Sequence, residues 1–447
     1  RRVLFRSLIF VLTQGHNIPL HDGVPVGQTD PDTWLRLTLV REWLTGGGWY
    51  NHLVPNSNAP MEAAASPWTR PVDVVLSFFV YLQPETIAID LRIMRASLLL
   101  PWLWMALLIA GIHRAVRFIL PMNSAYVMAT VLILTTPILL NYFGLGNADH
   151  HAPLAVLFIW AIGGILAPTQ TRSMMIVSGI LFGLQLWISV EAFMLIGAAY
   201  VWFGLQWLRG DSQKAESLAW LATAAAFTSI IAIMIEVPRA EWFAPVYDSI
   251  SVVYAYSLVI AALFAWGLRA YSPPTLQGRL VVGVIGGAIV ALVIGALYPH
   301  LPSGPLYGVH PFIITDFLPR ISEAKSFFFI PINVLVVCTY MPLMMIILCL
   351  APWLRPEHSF YSREQSAKFA YFLIATLLLY YSQQRWSYYL LPLTIAIIAP
   401  LLGALFTPEH PLVTHHWPAN TLAALTPNEQ MKRRLPVLLG ALALPIL

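Results

Sequence analysis

The chain has 447 residues, 58% of them hydrophobic and only 10% charged, with a formal net charge of +4 and a mean hydropathy of +0.70. Soluble domains carry about 25% charged residues, so a soluble globule, a disordered chain and a coiled coil are excluded for want of polar surface. Apolar runs near the roughly 20 residues that cross a bilayer recur along nearly the whole sequence, the pattern of an all-α polytopic membrane protein.

These runs fall at 3–12, 94–112, 119–142, 152–168, 173–190, 192–208, 217–236, 251–267, 280–297, 329–352, 369–383, 387–406 and 435–447. About 13 transmembrane helices are therefore expected, in a single transmembrane domain over 1–447. Both ends read as cut, since the chain starts at Arg1 with a short run and stops inside another. A run over 72–84 is too short to cross and is flanked by Arg70, Asp73 and Glu85; it is expected to be interfacial or re-entrant. With Arg1 in the cytoplasm, 16 of the 25 basic residues fall on the cytoplasmic side, as the positive-inside rule requires. Two outer segments are then large, 16–93 and 298–328.

The first outer segment carries Asp30-Pro31-Asp32-Thr33-Trp34-Leu35-Arg36. Leu35, Leu39 and Trp43 recur at helical spacing, as do Arg36 and Val40, and Gly46-Gly47-Gly48 ends the stretch. Either Asp30 or Asp32 can cap this helix while the other does chemistry. After the third span come Asn147-Ala148-Asp149-His150-His151, where Asp149 and His151 offer two ligands to one divalent ion. The second large outer segment holds Asp316 and Arg320-Ile321-Ser322-Glu323, and Asp248 lies in a shorter outer connection. Between the eleventh and twelfth spans, Gln384-Arg385-Trp386-Ser387-Tyr388-Tyr389 places an arginine where it either snorkels or grips a phosphate. Glu191 sits at a span end, either buried and functional or at the interface. Three acidic clusters and one arginine, from four connections, fall on one face under a parity set by basic residues alone. Converging carboxylates repel one another unless a cation lies between them.

These motifs resemble those of the integral-membrane glycosyltransferases with the C-type fold, most of all the catalytic subunit of oligosaccharyltransferases. That family has a thirteen-span domain with its site facing the lumen or periplasm. Asp30-Pro31 followed by Arg36 is similar to its first-loop acidic motif, and Trp68-Thr69-Arg70-Pro71 to the end of that loop. Asp149-His150-His151 resembles its D-x-H motif, Ile321-Ser322-Glu323 its fifth-loop motif ending in Glu, and Arg385 its donor-phosphate arginine. The resemblance implies that Asp30, Asp149, His151 and Glu323 hold Mn²⁺ or Mg²⁺. It implies that Asp30 (or Asp32) and Glu323 polarise the acceptor. Arg385, with His150 and Arg36, would bind the donor phosphate, and Asp248, Asp316, Arg320 and Tyr388 would line the site. Arg320 departs from the Ser or Thr that opens the family's Glu motif, and no Trp-Trp-Asp sequon reader occurs.

The expected function is metal-dependent, inverting transfer of a sugar or oligosaccharide from a polyprenyl-(pyro)phosphate to a protein, lipid or polysaccharide acceptor. The expected setting is a bacterial or archaeal cell membrane, with the site facing outside, membrane lipids around it and no nucleic-acid partner. The alternatives are a transferase of single sugars from a polyprenyl monophosphate and a transporter of anionic or lipid-linked substrates, which would place its polar groups near mid-span.

Overall fold

The computed structural model describes residues 20–21, 24–25, 31–54, 64–354 and 360–405. Asp30 and the terminal runs 3–12 and 435–447 lie outside the described residues. Among the described residues the fold is all-α apart from two antiparallel ladders of two residues per strand: β1 (Leu20–His21) with β2 (Val24–Pro25), and β3 (Leu53–Val54) with β4 (Ala64–Ala65).

Helices stand on every internal run. They are α1 (Pro31–Glu42), α2 (Arg70–Tyr81), α3 (Ile89–Ile119), α4 (Asn123–Leu134), α5 (Pro137–Asn141), α6 (His151–Leu166), α7 (Arg172–Ile188) and α8 (Ala192–Leu208). After these come α9 (Gln213–Glu236), α10 (Val252–Ala270), α11 (Leu276–Leu297), α12 (Ile332–Leu348), α13 (Ala351–Leu354), α14 (Arg363–Ser382) and α15 (Ser387–Leu405). The chain is a multi-pass membrane protein: among the described residues, six helices are long and apolar enough to cross a bilayer. Helices α4, α6, α7 and α8 are apolar but shorter. The run at 119–142 is not one helix. Pro137 has no N–H to give and pushes the residue before it out of the helical region, so Thr136 is extended and α5 starts afresh.

The helices differ in what surrounds them. Nearly all of the apolar stretch of α15 is buried, while none of that of α11 is fully buried, so α15 is a central post and α11 lies at the periphery. Helix α15 packs on α3, α4, α6 and α12, and α9 packs on α7 and α10. The approach of α7 to α9 depends on glycine. A methyl group at Gly179 would collide with the Leu221 carbonyl and Ala224, and one at Gly183 would come within 2.5 Å of the Thr228 Cβ.

Helix α1 buries Thr33, Arg36, Leu37 and Val40 at helical spacing, together with Leu39. Its turn at Trp43–Gly47 closes through Gly46 (φ +111°) and Gly48 (φ +78°), a left-handed backbone that favours glycine. The 12 residues of α2 span about 18 Å, short of the bilayer, and their inner face (Val72, Leu76, Val80) is buried.

Basic residues tie the connections at the opposite end from α1 and α2. Lys368, 1% exposed, donates to the Ala167 carbonyl at 2.8 Å. Lys214 donates to Gln170 at 2.6 Å, Arg269 pairs with Glu216 at 3.0 Å, and Arg279 reaches the Pro273 carbonyl at 2.8 Å.

Gly179→Val forces α7 and α9 apart and is expected to cost about 1–3 kcal/mol, read as a lower apparent melting temperature in detergent. Gly287→Ala, on the open face of α11 where an added methyl meets nothing within 4 Å, should be neutral or stabilising by up to about 1 kcal/mol.

Candidate functional site

The site is built from helix ends. Asp149 and His150 close the connection before α6, and His151 is its first residue. The Asp149 N–H bonds to the Asn147 side chain at 2.8 Å, and the Ala148 N–H to the Thr33 hydroxyl at 3.0 Å. This second bond fastens the connection to α1. Asp149 is 5% exposed. One of its oxygens lies 2.5 Å from both the backbone nitrogen and Nδ1 of His150, and the other contacts Nδ1 of His151. Burial by itself raises a carboxyl; here the two imidazoles outweigh it and hold Asp149 well below the ordinary carboxylate range.

His151 turns its other nitrogen, Nε2, to Glu323 at 3.6 Å. Its ring packs against Tyr142, His150 and Tyr388. Glu323, with a side chain 36% exposed, stands on a single 3-10 turn, Ser322–Ala324. Burial raises its carboxyl above the usual value; His151 opposes this, and Asp149 and Asp32 reinforce it. Asp32, at the start of α1, is thus near enough for its charge to act on Glu323. Just beyond Glu323, the Lys325 carbonyl accepts the Gln384 N–H at 2.8 Å, which brings Arg385 to the same rim.

Arg385 lies with its Nε 3.4 Å from Glu191, whose side chain is 7% exposed. Tyr388 and Tyr389 both donate their phenols to Glu191, Tyr389 at 2.8 Å. The penalty of burying Glu191 is outweighed by Arg385 and the Tyr388 phenol, so its carboxyl is held low. Tyr388 touches both His151 and Glu191 and so joins the two halves of the site.

Asp32, Asp149, His150, His151, Glu323, Arg385 and Tyr388 thus gather at one end of the bundle. Three expected lining residues, Asp248, Asp316 and Arg320, are exposed on their loops, and Asp316 accepts from its neighbour Thr315. Arg36 is also placed differently from the phosphate contact expected of it. It is 1% exposed, lies 2.6 Å from Asp73, and stacks 4.8 Å over the Trp68 ring. Asp73 also takes Arg70 at 3.0 Å, and Arg70 donates to the carbonyls of Trp49 and Asn51. A buried guanidinium needs a buried partner, and α2 supplies it. Glu191 is the site residue least marked in sequence; only its place at a span end pointed to it.

The ligand test is mixed. Among the described residues, no group of three or more His, Cys, Asp or Glu side chains is set to hold a metal ion. Two donors do fit. Nε2 of His151 and Glu323 face each other at the separation of two ligands on one ion with bonds of about 2.1 Å. The carboxylate behind Nδ1 of His151 is the usual second partner of a ligating imidazole.

No protein-family model matches the sequence, and no curated protein matches it. Solved structures do. The chain is similar to the archaeal oligosaccharyltransferase AglB from Archaeoglobus fulgidus in complex with an inhibitory peptide and a dolichol-phosphate, with a TM-score of 0.68 and 15% identity. The match covers 93% of this chain and 50% of that one. The oligosaccharyltransferase of the same organism tethered to an acceptor peptide with an NVT sequon gives 0.65 and 16%, covering 92% and 50%. Its complex with Zn and sulfate gives 0.54 and 15%, covering 89% and 48%. The chain therefore has an oligosaccharyltransferase-like glycosyltransferase fold and spans about half the length of those structures.

Asp73→Asn leaves Arg36 and Arg70 buried without a full counter-charge. It is expected to destabilise the protein by about 3–5 kcal/mol, read as a lower melting temperature and faster proteolysis after Trp49. Replacing exposed Asp316 by Asn should change neither.

Proposed function

We propose that the protein transfers a sugar or an oligosaccharide from a polyprenyl-(pyro)phosphate to an acceptor at the extracytoplasmic face of a bacterial or archaeal cell membrane. The observation that supports this most is the meeting of the His151–Glu323 pair and Arg385, joined by Tyr388, at one rim of the bundle. A lipid donor presents its phosphate at such a rim. The excess of basic residues in the opposite connections supports placing the site outside. The neighbours solved with dolichol-phosphate and with peptides support a lipid-linked donor; the acceptor class stays open among protein, lipid and polysaccharide.

His151 and Glu323, with an aspartate of the first outer segment, would hold Mn²⁺ or Mg²⁺. When bound, such an ion stabilises charge on the leaving oxygen. The protein's own groups do the rest. Arg385 offers a fixed positive charge in a partly dry site. Glu191, Tyr388 and Tyr389 keep the guanidinium in place. Glu323, whose carboxyl binds its proton more tightly than an ordinary one, suits the role of accepting the acceptor's proton. We assign direct displacement with inversion, in which the acceptor itself is the nucleophile and no covalent sugar–protein intermediate forms.

Full-length protein in nanodiscs, supplied with polyprenyl-pyrophosphate oligosaccharide or polyprenyl-monophosphate sugar, tests the reading. Turnover should require a divalent cation, and Arg385→Ala and Glu323→Gln should each lower kcat by about 10²–10³. Preference for the monophosphate donor would move the assignment to single-sugar transfer. Uptake into vesicles with no transfer would overturn it in favour of a transporter.

Glu323 also predicts a pH dependence. Its carboxyl is raised on folding, so the folded state binds the proton more tightly than the unfolded chain. That contribution is present below the ordinary carboxylate range and is lost as pH rises through the raised value. In metal-free buffer, Glu323→Gln should melt as high as the wild type or higher near pH 7, with the advantage shrinking toward about pH 4.

A further inference from the structure

A cavity of about 320 Å³ lies beside the site, between the first outer segment, the end of α9 and the α9–α10 connection. Nothing in the transfer reading uses it. Its walls include Tyr50, His52, Trp68, Glu236, Trp242 and Ser249. Trp68 is a shared wall, because its ring also packs 5.5 Å from the His150 ring.

The polar equipment of the cavity is built rather than incidental. Glu236 is 6% exposed. Its carboxylate accepts the Arg70 N–H at 3.1 Å and the Trp187 indole N–H at 2.7 Å, and His52 Nε2 lies 3.3 Å away. Among the described residues, Nδ1 of His52 has no hydrogen-bond partner. A wall carrying a carboxylate, an imidazole and a hydroxyl disfavours a lipid tail, which would leave these polar groups unsolvated. A fixed carboxylate disfavours a second phosphate. The Trp242 indole N–H is occupied by the Val237 carbonyl, so this residue offers its ring. Aromatic faces carry negative charge and attract the C–H face of a sugar, while the carboxylate, imidazole and serine suit its hydroxyls. The volume sits at the low end of ligand pockets, about 300–1,000 Å³, which suits one or two rings.

We propose that this cavity is a saccharide subsite that holds a sugar ring of the substrate beside the reaction centre. It rests on the transfer reading for its purpose, and it binds either a later sugar of the donor or a sugar of the acceptor.

Methyl glycosides titrated into the full-length protein in nanodiscs, followed by tryptophan fluorescence and saturation-transfer NMR, test it without turnover. Saturable binding is expected, weakened about tenfold or more by Trp242→Ala and by Ser249→Phe, which fills the cavity. Sugar-free polyprenyl phosphate should bind wild type and variants alike. If the ring comes from the donor, both variants raise KM for an oligosaccharide donor and not for a monosaccharide donor. If it comes from the acceptor, they raise only the acceptor's KM. Absence of saturable glycoside binding, binding indifferent to both variants, or displacement of the glycosides by peptides would overturn the subsite. Glycoside binding with no sugar transfer would instead sink the transfer reading and leave the subsite standing.

Discussion

A carboxylate taken out of water governs the arrangement of the functional end of this bundle. An isolated buried carboxylate would take up a proton. Asp149 keeps its charge because imidazoles occupy both of its oxygens. That arrangement fixes more than Asp149. It turns His151 so that Nε2 points to Glu323, and the neighbouring Ala148 N–H holds the start of α1 through Thr33. One buried charge thereby sets the relative positions of three connections that are far apart in sequence.

The same logic repeats around it. Arg36 and Arg70 share Asp73, Arg385 has Glu191, and Glu236 accepts the Arg70 N–H. Arg70 and Asp73 share α2, but Arg36–Asp73, Arg385–Glu191 and the Arg70 N–H to Glu236 each join different elements, tying α1 to α2, the α7–α8 connection to the turn before α15, and α2 to the end of α9. Breaking such a tie is costly because the remaining charge stays buried. Glu323 differs. Its side chain is 36% exposed and its charged form is disfavoured rather than held, which accords with a group meant to exchange partners.

Much of this was legible in the sequence. Apolar runs of near-spanning length marked the helices, because burial in a bilayer leaves no room for charge. The motifs around Asp149, Glu323 and Arg385 were legible because polar groups at span ends stand out against such runs. Thirteen crossings are not confirmed: among the described residues six helices are long and apolar enough to cross and four apolar helices are shorter, and two of the thirteen runs lie outside the described residues. The break at Thr136–Pro137 was hidden inside a continuous apolar run. Arg36 shows the limit of reading along the chain. Its closest acidic neighbours in sequence belong to the first motif, whereas its partner Asp73 is brought in by the packing of α2. Glu191 belongs to no motif, and its importance arises from contact with residues nearly two hundred positions away. Asp30, the expected first-loop ligand, lies outside the described residues.

The pairing of Arg385 raises a question for the proposed function, since an arginine already bound to a carboxylate offers less to a phosphate. The atoms involved answer it. The contact to Glu191 is made through Nε, and guanidinium has two further nitrogens that form the fork suited to phosphate. The side chain is 33% exposed, so it is not closed off. Glu191 is in turn held by two phenols, which limits its freedom to follow the guanidinium outward. Under the proposed function the carboxylate would act as an anchor that orients Arg385 and lowers the cost of ordering a long side chain for a donor phosphate.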